Sequence, residues 1–111
     1  MALPLTVFKT LPANVPASNT VVYTAPTGYN AIVLTAQVVN TDTSDHEFFM
    51  KLVRLSVQYP IIHDYTIPPS EVLIASGGTA GKLVLQTGDS LSISGNSTNL
   101  KFTLSVLETL V

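Results

Sequence analysis

The chain has 111 residues, 46% of them hydrophobic, with five basic and seven acidic side chains and a formal net charge of −2. It has no cysteine, which excludes disulfides and thiolate metal sites, and its hydrophobic fraction excludes a disordered chain. Lys9, Lys51, Arg54, Lys82 and Lys101 are scattered, so neither a basic patch for nucleic acid nor a basic amphipathic stretch for a membrane surface is expected.

The length fits one domain. A folded monomer of 11.8 kDa exposes roughly 5,900 Å². Twelve charged side chains are few for that area, since soluble small domains carry roughly 25–35% charged residues on their surface. A surface so poor in charge implies cover by copies of the same chain or by other proteins.

The N-terminus lacks a basic n-region and carries Pro4 in its first apolar stretch, so no signal peptide is expected. Residues 1–18 are expected to form an extended arm, with residues 19–111 as a β-sandwich domain. Leu5–Leu11 is a candidate strand, but Pro12 and Pro16 keep this stretch from joining a central strand. No residue from Thr10 to Thr41 is charged. Pro12, Pro16, Pro26 and Gly28 argue against a membrane span there, because they would free backbone groups in lipid.

Residues 20–24 and 31–40 are rich in Val, Ile, Thr and Tyr and read as strands. Residues 31–36 are almost wholly apolar, so that strand is expected to have both faces covered. Pro26-Thr27-Gly28 and residues 40–45 mark turns. Ser44-Asp45-His46-Glu47 fits a helix capping box, and a helix over 45–57 would place Glu47, Lys51, Arg54 and Gln58 on one stripe. Phe48, Phe49, Val53 and Val57, together with the surrounding strands, favour a strand there instead. Further strands are expected at 60–67, 72–75 and 82–87, and in the alternating runs at Leu91/Ile93 and Leu100–Val106. Residues 76–81 form a Gly-rich loop, and Gly88-Asp89 reads as a tight hairpin. Eight or nine short strands with turns about every ten residues predict an all-β, antiparallel, jelly-roll-like sandwich.

Several motifs carry possible chemistry. Gly88-Asp89-Ser90-Leu91-Ser92 is similar to the signature of the GDSL esterases, but no histidine follows position 63 to act as base. Gly77–Lys82 lacks the Ser/Thr of a phosphate loop. Asp42, Asp45, His46 and Glu47 cluster in a loop, yet match no calcium-loop spacing. His63 and Asp64 are strand neighbours and point to opposite faces. Tyr23, Tyr29, Tyr59 and Tyr65 are candidates for a sugar-binding face. Asn96-Ser97-Thr98 is a glycosylation sequon. No nucleophile, base and oxyanion donor come together, so no enzyme, catalytic residue, cofactor or metal is expected.

Tyr23–Gly28 followed by Ala31–Leu34 and Val39–Thr41, then Tyr65–Pro69, Leu83–Leu91 and Leu104–Glu108, resembles the small β-sandwich virion proteins of tailed bacteriophages. The resemblance spans about residues 21–108. It implies a structural subunit of a phage particle, most readily a capsid cement or decoration protein. A tail, neck, baseplate or fibre component is the alternative within the same particle. A carbohydrate- or receptor-binding module using Tyr29, Tyr59 or Tyr65 is the alternative outside it. The implied partners are the chain itself, as a homo-oligomer with a trimer among its candidate forms, and the major capsid or other virion proteins. The implied location is the virion, after synthesis in the host cytoplasm.

Overall fold

The computed structural model describes residues 5–77 and 81–111. Nine strands follow in chain order: β1 (Thr6–Asn14), β2 (Thr20–Thr24), β3 (Tyr29–Asn40), β4 (His46–Arg54), β5 (Val57–Ile67), β6 (Val72–Ser76), β7 (Leu83–Leu85), β8 (Ser90–Gly95) and β9 (Leu100–Leu110). One sheet has the order β1-β9-β3-β6, with the short β7 also paired to β3; the other has the order β2-β8-β4-β5. All pairings are antiparallel. Apart from the β4–β5 hairpin and the succession of β6 and β7, consecutive strands alternate between the sheets, and the orders are those of the double Greek key of a jelly roll. The all-β sandwich expected from the period-two pattern is the fold.

The core lies between the sheets. From β9 it takes Leu100, Phe102, Leu104 and Val106, from β3 Ala31, Val33, Ala36 and Val38, and from β4 and β8 Phe48, Met50, Leu91 and Ile93, all buried. Phe48 and Phe102 stack across the sheets with ring centroids 6.1 Å apart. The folded chain exposes 6134 Å², close to the roughly 5,900 Å² expected for a monomer of this mass. The fold therefore completes its own core without a partner.

Three expectations are corrected by these pairings. Residues 6–14 do not form an arm: all nine pair with β9, from Thr6 opposite Thr109 to Asn14 opposite Lys101, and Val15 is fully buried. Pro12 is tolerated because β1 is an edge strand, as Pro60 is in edge strand β5. Second, β3 is not covered on both faces. Its burial alternates, with Ile32, Leu34 and Val39 on the outer side of the sandwich. Third, Gly88-Asp89 is not a hairpin, because β7 and β8 lie in different sheets. Asp89 N–H donates to the Gln86 carbonyl at 2.9 Å, and Gly88 has φ +87°, giving a type II turn that crosses between sheets.

The stretch 45–57 is strand rather than helix. Phe48 and Met50 fill the core, and β4 has a partner on each side. Its end is a two-residue turn, Leu55-Ser56, with φ of 51° and 64°.

Candidate interaction surfaces

The sequence motifs fall at places that serve the fold. Ser92, in the esterase-like stretch, is fully buried on the outer side of β8, and its Oγ has no hydrogen-bond partner among the described residues. Asp89 from the same motif is buried. Its Oδ1 accepts from Arg54 Nε at 2.8 Å, and its Oδ2 accepts from Arg54 Nη2 at 2.5 Å and from the Gln86 N–H at 2.8 Å. The bidentate guanidinium holds the Asp89 carboxyl below its ordinary range. A cavity of about 220 Å³ opens beside this pair, lined by Arg54, Leu55, Gln86, Thr87, Gly88 and Asp89. Its charges are already matched to each other, so it offers no free cation to an anionic ligand.

The acidic loop is stitched to itself. Asn40 Nδ2 donates to the Ser44 and Ile67 carbonyls, and Asn40 Oδ1 accepts from the Asp42 N–H. Asp42 Oδ2 and His46 Nε2 lie 2.7 Å apart. This hydrogen bond, with that from the Thr43 N–H, brings the Asp42 carboxyl down to about 2. Glu47 points away to Asp64, whose negative charge raises the Glu47 pKa. Phe49 meets His63 edge-on at 5.6 Å. Among the described residues no group of three or more His, Cys, Asp or Glu could hold a metal.

The four tyrosines do not share a face. Tyr23 and Tyr29 are buried, which removes Tyr29 from a sugar platform. The Tyr23 hydroxyl donates to Glu108 Oε2 at 2.6 Å, and Lys9 Nζ sits 3.1 Å from Glu108 Oε1. Burial, helped by that carboxylate, pushes the Tyr23 pKa well up. Tyr59 and Tyr65 are half exposed on β5, six residues and so about 20 Å apart along the strand.

The least expected feature is the outer face of the β1-β9-β3-β7 sheet. Cross-strand register puts Phe8 opposite Leu107, Leu107 opposite Ile32, and Ile32 opposite Val84. These four side chains form one apolar row across four strands. Phe8 is 72% exposed and Val84 54%. Thr6, Thr10, Thr35, Ser105 and Thr109 flank the row, and Thr10 and Ser105 hydroxyls are 3.3 Å apart. Of the strand residues on this face, Lys101 alone is charged, and it is tied to Asn14 Oδ1 and the Thr98 carbonyl. Each contributing strand is apolar on both faces at the row: Val7-Phe8, Ala31-Ile32-Val33, Leu83-Val84-Leu85 and Val106-Leu107. That signal was available in the sequence; the register that aligns the four pairs was not.

Comparison with protein-family models, curated proteins and solved structures finds no match to the chain. The fold defines its class: an all-β jelly-roll sandwich. No helix among the described residues is long and apolar enough to cross a membrane.

Proposed function

We propose that this chain is a structural virion protein of a tailed phage, most consistent with a capsid cement or decoration subunit that acts by packing against neighbouring protein. The observation that carries the reading is the outer face, charged at Lys101 alone, with its apolar row Phe8–Leu107–Ile32–Val84, exposed at both ends and half-buried between. The chain fills its own core, so this apolar surface is surplus to folding. Asp89 and Glu108 are buried and paired, which leaves about one charged group per 600 Å² of the 6134 Å² exposed. The jelly roll supports the reading in part, since viral coat domains are one of its recurrent uses, although fold does not dictate function. The mechanism is mechanical: hydroxyl-bearing and apolar strands meet a neighbour and exclude water.

The test is co-fractionation. Particles from the source are purified on a density gradient and probed with an antibody to this chain. The chain is expected to band with the particles at a fixed ratio to their major coat protein. Recovery solely in the soluble fraction overturns the proposal. The carbohydrate-binding reading has less to stand on, because Tyr23 and Tyr29 are buried and Tyr59 and Tyr65 are far apart.

A further inference from the structure

We infer that the outer face of the β1-β9-β3-β7 sheet is covered by a second copy of this chain, packed sheet on sheet about a two-fold axis that runs along the Phe8–Leu107–Ile32–Val84 row. This rests on the reading of the chain as an assembly subunit and names the surface and the partner.

Three observations lead there. The first is β3 itself. Residues 31–36 have the near-continuous apolar sequence of a strand buried on both sides, yet the chain covers one side only. The missing cover must match Ile32 and its apolar neighbours Phe8, Leu107 and Val84.

The second is charge. None of the seven acidic residues occupies a strand position on this face, although the chain carries −2 overall. A strongly charged partner would find nothing to pair with here. A second copy meets no repulsion. Lys101 lies six residues from Leu107 on β9, about 20 Å along the strand. A two-fold axis along the row sends the two Lys101 side chains to opposite ends, about 40 Å apart, well beyond the screening length of about 8–10 Å. An axis parallel to the strands would bring them close together.

The third is area. Nine residues each from β1, β9 and β3, with the three of β7 and the five of β6 beside β3, at about 4.8 Å by 3.4 Å per residue, give a footprint of about 570 Å² per copy in projection. Two copies reach about 1,100 Å² before side-chain relief is added, at the lower edge of specific interfaces. The self-association is therefore expected in the micromolar range.

The experiment is sedimentation velocity on the full chain from about 1 μM to about 1 mM. The wild type should pass from monomer to dimer. F8E/V84E puts like charges on both ends of the row and should weaken dimerisation by about 100-fold or more. V21E, on the outer side of the other sheet opposite Ser92, should leave it unchanged and controls for added charge. Mixing F8E/V84E with F8K/V84K should restore a dimer, which a folding defect in either variant could not do. Circular dichroism on each variant checks that the sheet is intact. A wild type that stays monomeric at the highest concentration overturns the inference, as does an oligomer of any size that F8E/V84E leaves intact. Either result leaves the virion reading standing if the chain still bands with particles. A dimer broken by F8E/V84E, from a chain never found on particles, sinks the virion reading and keeps the interface.

Discussion

The Leu55-Ser56 turn stores strain that a double substitution should release. Arg54 pairs with Val57, so the loop between β4 and β5 has two residues, both at positive φ (51° and 64°). That is the backbone of a type I′ turn, which favours Asn-Gly because side chains with a Cβ clash in the left-handed region. The cost is about 1–2 kcal/mol for each such residue, so the tip holds about 2–4 kcal/mol. Replacing Leu55 by Asn removes part of its share. Replacing Ser56 by Gly removes most of its own and returns about 0.5–1 kcal/mol through unfolded-chain entropy. The net gain for L55N/S56G is about 1–2 kcal/mol. For a domain of this size that is a rise in melting temperature of about 4–8 °C. Leu55 is 91% exposed, so the substitution gives up little buried apolar area. Differential scanning calorimetry of the two proteins decides the matter. A melting temperature that stays level or drops would mean that the tip is not strained as its dihedrals indicate.

Three further outcomes follow from the interior. Gly95 pairs with Phe48, and a Cβ there would sit 2.9 Å from the Glu47 carbonyl oxygen and from Val15 Cγ1, so G95A should cost about 1–3 kcal/mol by urea denaturation. The raised pKa of Tyr23 means that the folded state keeps its phenol proton when the unfolded chain has lost it. Stability should be full below pH 10 and decline above it, and Y23F should flatten the decline in pH-dependent melts. The lowered carboxyl pKa values of Asp42 and Asp89 act in the opposite sense. The stability they contribute is present above about pH 4 and is lost as pH falls toward 2; the acid limb should become shallower in D42N.

The alternation of Leu100, Phe102, Leu104 and Val106 against Lys101, Thr103 and Ser105 made β9 legible, and Thr20–Thr24 coincides with β2 end for end. The jelly-roll order was legible only as a class, because strand count and turn spacing do not say which strands pair across 80 or more residues. Residues 6–14 were misread as part of an arm for a local reason. Pro12 forbids a central strand but permits an edge, and β1 is an edge. Gly88-Asp89 was misread because a type II turn and a hairpin turn draw on the same residues. Of the candidate surface, single members such as Ile32 and Leu34 were visible as surplus apolar residues. Their alignment with Phe8 and Val84 depends on register set by chain segments far apart in sequence.

The two sheets differ in a way that bears on which one meets a neighbour. On β8, Leu91 and Ile93 face inward while Ser90, Ser92 and Ser94 face outward, opposite Val53, Lys51 and Phe49. Glu47 meets Asp64 and Phe49 meets His63 on that same side; β5 bulges opposite Phe48–Lys51 and Asp64 has φ 50°, so His63 and Asp64 are not sent to opposite faces as strict alternation predicted. The outer face of that sheet carries charge of both signs, at Lys51 and Glu47. The opposite face, with the Phe8–Val84 row, lacks free charge, so contact there should be driven by removal of apolar area from water. Such contact is indifferent to screening. Raising sodium chloride from about 50 mM to about 500 mM should change the self-association constant by no more than about twofold, while sodium sulfate, which favours burial, should strengthen it. Dissociation that steepens with sodium chloride would place the contact on charged groups instead, of which this face has none but Lys101.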